Sequence, residues 1–310
     1  MKNKFHEYIC AEGMSKNMKI SAKYNMLHQP LIERIVAEES GKKNPLKAAK
    51  TKLHQLYGAY SQSNAHKKAA QAMELLTPQQ SFALQNFATP LGKGVTPPSQ
   101  TNNLIGGVIQ SPDASDWCRC ILGLHMSTKE RLPYLAEFYK FIAKYTGTAK
   151  TILDLGCGFN PFSIPFMPDE LKNLETYHAY DIDLRTMELL NNFFALMGLP
   201  QGAKCADLIA EIPAEEVDIA LMLKILPVLE AQSPGCGFCL ANNVLAKYLV
   251  ISYPLQSLGG REKGMAKNYA DTFKNAVESG KLSAFNLIAT ENLPRELVYV
   301  LKKRESRVQK

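Results

Sequence analysis

The chain predicts an α/β fold, with a mostly parallel sheet closed by a C-terminal antiparallel hairpin and preceded by an all-helical segment. Three observations carry this. The apolar run Thr151 to Leu155 ends in a tight Gly156-x-Gly158 turn, as a buried parallel strand does where backbone must turn sharply. Two further apolar runs, Val217–Lys224 and Lys247–Pro254, have the composition of buried parallel strands. Leu282–Ala289 and Glu296–Lys302, joined through Asn292-Leu-Pro294, read as an antiparallel pair at the sheet edge.

The N-terminal part is helical in pattern. Leu31–Glu39 has apolar residues at helical spacing and stops near Ser40-Gly41. Asn44-Pro45 opens a helix from Leu46 to Tyr60, with Lys43, Lys47, Lys50, Lys52 and His54 on its polar face. A third helix, from Asn64 to Leu76, carries Lys67 and Lys68. Residues 77–116 hold five prolines and four glycines, which forbid long regular elements and mark a linker or insertion. Helix returns at Trp117–Leu124 and again from His125 to Tyr145, where Ser127 and Glu130 have capping-box spacing. The expected organisation is 1–76 as a basic helical domain, 77–116 as linker, and 117–310 as the α/β domain.

Charge is distributed unevenly. The net charge is +7, and residues 1–75 carry thirteen Lys or Arg against six Asp or Glu, so the remainder is balanced. A basic appendage on a neutral domain suits a polyanionic partner, although a solvated helical surface has the same composition. The chain has no apolar run long enough to span a bilayer and no apolar leader at Met1-Lys-Asn-Lys. Its seven scattered cysteines argue against a disulfide framework and fit a reducing cytoplasm. Cys236-x-x-Cys239 has no second ligand pair nearby, so no metal is expected.

The strand-end acids suggest the ligand. Asp154 precedes the glycine turn, and Asp181 ends a second strand-like run, Glu175–Tyr180, where an acid can bond ribose hydroxyls. A nicotinamide fingerprint would place glycine at position 161, which here is Pro161. Asp-x-Gly-x-Gly followed by a distant Asp is instead similar to the S-adenosyl-L-methionine pocket of Rossmann-like class I methyltransferases. That likeness implies a seven-stranded sheet, and a place for Asp207 and Leu208 at the adenine. Asp207 as a helix N-cap is the competing reading.

Three longer motifs narrow the resemblance. Leu124-His-Met-Ser-Thr-Lys-Glu-Arg131, Asp154-Leu-Gly-Cys-Gly-Phe-Asn-Pro161 and Ser252-Tyr-Pro-Leu-Gln-Ser-Leu-Gly-Gly-Arg-Glu-Lys-Gly-Met265 resemble the aminoglycoside-resistance 16S rRNA (guanine-N7) methyltransferases. Lys50-Thr-Lys-Leu-His54 and Gly58-Ala-Tyr60 resemble that family's RNA-binding helices. The resemblance implies a cytoplasmic, monomeric enzyme acting on the 30S ribosomal subunit, with S-adenosyl-L-methionine as methyl donor. It implies that Arg131 clamps the cofactor's carboxylate as a planar donor, against a surface ion pair as the plain alternative. Gly156 and Gly158 would supply backbone contact, Asp181 would hold the ribose, and His125 and Ser127 would border the cofactor. Tyr253 is placed either to stack on a base turned out of the RNA or to pack in the core. Arg261 and Lys263 would contact phosphate from the loop after the fifth strand, and Lys224 would face RNA phosphate or solvent. Lys43, Lys47, Lys50, Lys52, Lys67 and Lys68 would dock on rRNA phosphates. Guanine N7 has no proton to lose before it attacks, so no acid–base residue is expected. A different nucleotide at the same site, or a binding protein without turnover, are the competing functions.

Overall fold

The structure, a computed structural model, describes residues 24–57, 64–76, 81, 84, 104–105, 108–109, 114–255 and 265–305. Helices α1 (Gln29–Glu39), α2 (Pro45–Tyr57) and α3 (Ala65–Glu74) form the N-terminal layer. Leu31, Ile32, Ile35 and Val36 on α1 pack with Ala49 and Leu53 on α2 in a small core of their own. Helix α3 takes a different course. Its Ala65 and Ala69 belong to the large core that also holds Trp117 and Phe193, and the Trp117 indole donates to Ala72 O at 3.1 Å. Two small side chains let α3 approach that closely, so the helical segment is partly built into the α/β core.

Of residues 77–116, the described part includes a two-residue pairing, Leu104–Ile105 with Val108–Ile109, and the start of α4 (Ala114–Leu122). The helix expected from His125 to Tyr145 is divided. Met126–Arg131 (α5) gives way to a 3-10 turn at Leu132–Tyr134, and α6 runs from Leu135 to Thr146. Pro133 lacks the N–H that a continuous helix needs. The expected capping box does not form either. His125 occupies the N-cap with extended backbone and no side-chain cap, and Ser127 lies inside the helix.

The sheet follows the sequence reading. Strands β1 (Thr151–Leu155), β2 (Thr176–Asp181), β3 (Ala203–Cys205), β4 (Val217–Leu223), β5 (Ala246–Pro254), β6 (Phe285–Leu293) and β7 (Glu296–Lys303) lie in the order β3-β2-β1-β4-β5-β7-β6. The first five pair in parallel, and β7 is antiparallel to both β5 and β6. Side chains alternate between faces, as period two demands. Ile152 enters the core shared with α6 and with α7 (Leu184–Leu196), whereas Leu153 and Leu155 enter the opposite core. That second core is covered by α8 (Leu226–Gln232), α9 (Cys236–Asn243) and α10 (Met265–Glu278). Apolar residues on both faces make the central strands continuous hydrophobic runs. Order reverses between β1 and β4, and their carboxyl ends open the crevice where such sheets bind ligands.

Candidate functional site

A cleft partly open to solvent lies at the carboxyl ends of the strands. The α/β part lines it with Gly156, Gly158, Asp181, Asp207, Leu208 and Lys224, among others, and the N-terminal helices add Leu31, Leu56, Tyr57 and His66. The helices are tied down beside it. His28 N donates to Ile182 O at 2.8 Å, Leu184 N donates to Met26 O at 2.9 Å, and Leu27 bridges Asp183.

The glycine turn is shaped for its neighbours in the protein. Gly156 and Gly158 have φ of +69° and +49°, in the left-handed region. A Cβ on Gly156 would lie 2.8 Å from the Ile225 side chain, and one on Gly158 would lie 2.9 Å from the His125 ring. The glycines therefore admit Ile225 and His125 over the turn. Gly156 N and Cys157 N both donate to Tyr180 O, and Gly158 N donates to Asp181 Oδ2 at 2.8 Å. Ile182 N donates to Asp181 Oδ1 at 2.6 Å. Burial raises the Asp181 pKa while these amide bonds oppose the rise. Each carboxylate oxygen keeps a further lone pair, which suits a hydroxyl donor.

His125 stacks obliquely on Phe159, and its Nδ1 lies 3.0 Å from Ser127 Oγ. Burial, assisted by the charges of His66 and Lys224, pulls its pKa down to about 4, so the ring is neutral at physiological pH. Asp154 lies behind the turn. Asn160 Nδ2 and the Tyr177 hydroxyl donate to its Oδ2 at 2.8 and 2.7 Å, while Oδ1 is buried without a partner among the described residues. Burial raises this carboxyl to about 6. A raised carboxylate pKa means that stability falls as pH climbs from the unfolded value, near 3.8, through about 6. Asp154→Asn removes that loss. Its stability relative to the parent should therefore rise between pH 4 and pH 7 and then level off. Urea midpoints measured across that range check this, and a constant difference would contradict it.

Several expected residues are placed elsewhere. Arg131 is buried and does not line the cleft. Its Nε and one terminal nitrogen donate to the two Glu296 oxygens at 2.8 Å each, and the other donates to Asn160 Oδ1 at 2.9 Å. The guanidinium expected at the cofactor's carboxylate is thus engaged by a buried glutamate, and its side is shielded by Phe138. Lys224 lines the cleft but is largely buried and engaged by acids, with Nζ 2.9 Å from Glu130 and 3.5 Å from Glu296. Its φ of +61° places this non-glycine residue in the left-handed region at the end of β4. Tyr253 does not present a stacking face. It is 1 % exposed and packs against Tyr269, Phe273 and Tyr299. Lys52 is spent on Glu38 and approaches Glu39 at 3.9 Å, so it is no free phosphate ligand. Lys43, Lys47, Lys67 and Lys68 are exposed, and Lys50 is half-buried. Lys47, Lys50 and His54 follow helical spacing along one side of α2, and Lys43 lies two residues before its first turn. Arg261 and Lys263, like Gly58 and Tyr60, lie outside the described residues.

Three side chains that matter here are absent from the sequence reading. Glu296 accepts from Arg131, Tyr134 and Ser252 and is completely buried. Arg34 on α1 donates to Asp207 through Nε at 2.5 Å and a terminal nitrogen at 3.2 Å. Asp207 also accepts from Ile209 N at 3.2 Å, so it serves locally as a turn acceptor as well. His66 on α3 lies 2.6 Å from Thr186 Oγ1 and 3.5 Å from Asp183, which caps α7. Arg34 carried a signal: it is a cation within the apolar spacing Leu31, Ile32, Ile35. Glu296 carried a similar one, an acid opening an apolar strand.

A family model described as Ribosomal RNA methyltransferase (FmrO) matches residues 101–300. The chain belongs to this family. Among curated relatives, a 16S rRNA (guanine(1405)-N(7))-methyltransferase of Frankia casuarinae is 32 % identical over 87 % of this chain and 84 % of its own. One of the same description from Micromonospora rosea is 35 % identical over 60 % of this chain, and the chain spans 66 % of that relative. The solved 16S rRNA methyltransferase RmtF, in complex with S-adenosyl-L-homocysteine, is 30 % identical with a TM-score of 0.68, covering 91 % of this chain and 93 % of its own. The shared architecture extends over the helical layer as well as the sheet. Among the described residues no helix is long and apolar enough to cross a membrane, and no group of His, Cys, Asp and Glu could hold a metal.

Proposed function

We propose that this family member transfers the methyl group of S-adenosylmethionine to N7 of a guanine in the decoding region of 16S rRNA in the 30S subunit, and so confers aminoglycoside resistance. The observation that carries the reading is the cleft at the strand ends, with Asp181 and Asp207 on a wall otherwise rich in apolar side chains. Those residues fit an adenosine group: Asp181 for ribose hydroxyls, Asp207 for the adenine amine, and Leu31, Leu208, Ile225 and Val228 for the ring faces. His125 and Ser127 border the same space, whereas Asp154 is buried behind the glycine turn and is not part of the cleft lining. When bound, the cofactor supplies an electrophilic methyl group.

The protein's own task is then alignment. Guanine N7 presents an in-plane lone pair, so holding it in line and close is the catalytic contribution. The N7 edge lies in the deep, narrow major groove of A-form RNA, which implies distortion or extrusion of the base. Docking falls to the basic side of α2, and Arg261 and Lys263 remain candidate phosphate contacts. Changing Lys43, Lys47 and Lys50 together to Gln should make the log Kd against log salt slope shallower by about 2–3 units, at roughly 0.7–0.9 per phosphate contact. Lys52→Gln should leave the slope unchanged. Filter binding to 30S subunits at graded salt decides, and an unaltered slope in the triple variant rejects this docking face.

The direct test incubates the protein with 30S subunits and methyl-labelled S-adenosylmethionine, then maps the modified nucleotide by mass spectrometry. N7-methylguanine in the decoding region supports the proposal. Label at another nucleotide, or none despite cofactor binding, overturns it.

A further inference from the structure

Resting on the cofactor reading above, we infer that Arg34 is a positioning residue of the cofactor site, so that the N-terminal helical layer supplies part of that site. The observation is a continuous chain of ionic contacts. Lys52 on α2 bonds Glu38, Glu38 Oε1 lies 2.6 Å from Arg34, and Arg34 forks onto Asp207 at 2.5 and 3.2 Å. A terminal nitrogen of Arg34 also reaches Gln232 Oε1, at 3.2 Å, on the cleft wall formed by α8.

Two physical arguments favour positioning over competition. The Arg34 and Asp207 side chains are 5 % and 3 % exposed, and parting them would strand an unpaired charge in a buried setting. The pair therefore persists when the cleft is filled. Lone-pair counting then shows what remains. A carboxylate offers about four acceptor directions. Arg34 and Ile209 N occupy those on Oδ1, and Arg34 Nε takes one on Oδ2. One direction on Oδ2 stays open, enough for a single N–H such as that of an adenine amine. Arg34 thus fixes the rotation of the Asp207 carboxylate and selects the acceptor it presents. Because α2 also carries the basic lysine stripe, the same ion chain joins the proposed docking face to this acid.

Isothermal titration of the full chain with S-adenosylhomocysteine tests the inference, with thermal melts run beside it. Arg34→Gln should weaken binding at least tenfold, and Arg34→Lys should recover only part, since an ammonium cannot reproduce the fork. Asp207→Asn should weaken binding, and adding Arg34→Gln to it should cost less than a further twofold, because both changes remove one acceptor. In turnover assays KM for the methyl donor should rise while kcat holds. Glu38→Gln, which leaves the fork itself intact, serves as the milder variant should Arg34→Gln fail to fold, with an expected two- to fivefold loss. Additive effects in the double variant, unchanged affinity in folded Arg34 or Glu38 variants, or tighter binding by Arg34→Gln would each overturn the inference and leave the cofactor reading standing. Failure of the unaltered chain to bind would overturn both.

Discussion

Replacing Glu296 by alanine is expected to destabilise the folded chain by about 3–5 kcal/mol, the usual cost of removing one partner from a buried ion pair. Glu296 sits between two buried cations, Arg131 and Lys224, and no solvent reaches it. Its removal leaves both cations short of an acid, and leaves the Tyr134 and Ser252 hydroxyls without their acceptor. Urea unfolding by circular dichroism measures the effect, and a loss below about 1 kcal/mol would mean the cluster relaxes onto water. The pH dependence supplies a second reading. Burial pushes the Glu296 pKa up, but Arg131 and Lys224 more than offset this and hold it below the ordinary glutamate range. A depressed carboxylate contributes stability that is complete above its unfolded value and is lost as pH falls through the folded one. The gap between the parent and Glu296→Gln should therefore close on acidification below about pH 4.5. A gap that widens instead would contradict the assigned charge state.

The second large effect is expected on cofactor affinity. Asp181→Asn should weaken S-adenosylhomocysteine binding by about 1.5–3 kcal/mol, roughly ten- to a hundredfold, the range for hydrogen bonds to a charged group. Asparagine retains the shape but replaces one oxygen with a donor, which faces either Gly158 N or Ile182 N and spoils the turn's internal bond. Asp181→Ala should cost at least as much. Titration calorimetry on variants with parental melting temperatures checks this. Equal affinity in the Asp181→Asn variant would remove the acid from the ribose site.

The strand-and-turn frame was legible because it depends on local chemistry. Apolar runs between Thr151 and Leu155 and between Val217 and Leu223 specify strands, and glycine at 156 and 158 meets a backbone that side chains resist. Asp181 was legible for the same reason: the acid at a parallel strand end lands at the crevice. Arg131 and Lys224 were not, because a cation written in sequence does not name its counterion. Glu296 lies 165 residues beyond Arg131, and only the pairing of β5 with β7 brings it to Ser252 and that guanidinium. Tyr253 was divided between base and core, and the aromatic cluster of Tyr269, Phe273 and Tyr299 decided for the core.

By itself, then, the sequence determined the order of elements, the parallel sheet with its closing hairpin, the glycine turn and the strand-end acids. These follow from periodicity and backbone sterics acting over a few residues. Tertiary structure alone decided which charges meet: Arg34 with Asp207, Arg131 with Glu296, Lys52 with Glu38. Burial makes an unpaired charge prohibitively costly, so ionic partners are chosen by which distant segments the packed core brings into contact.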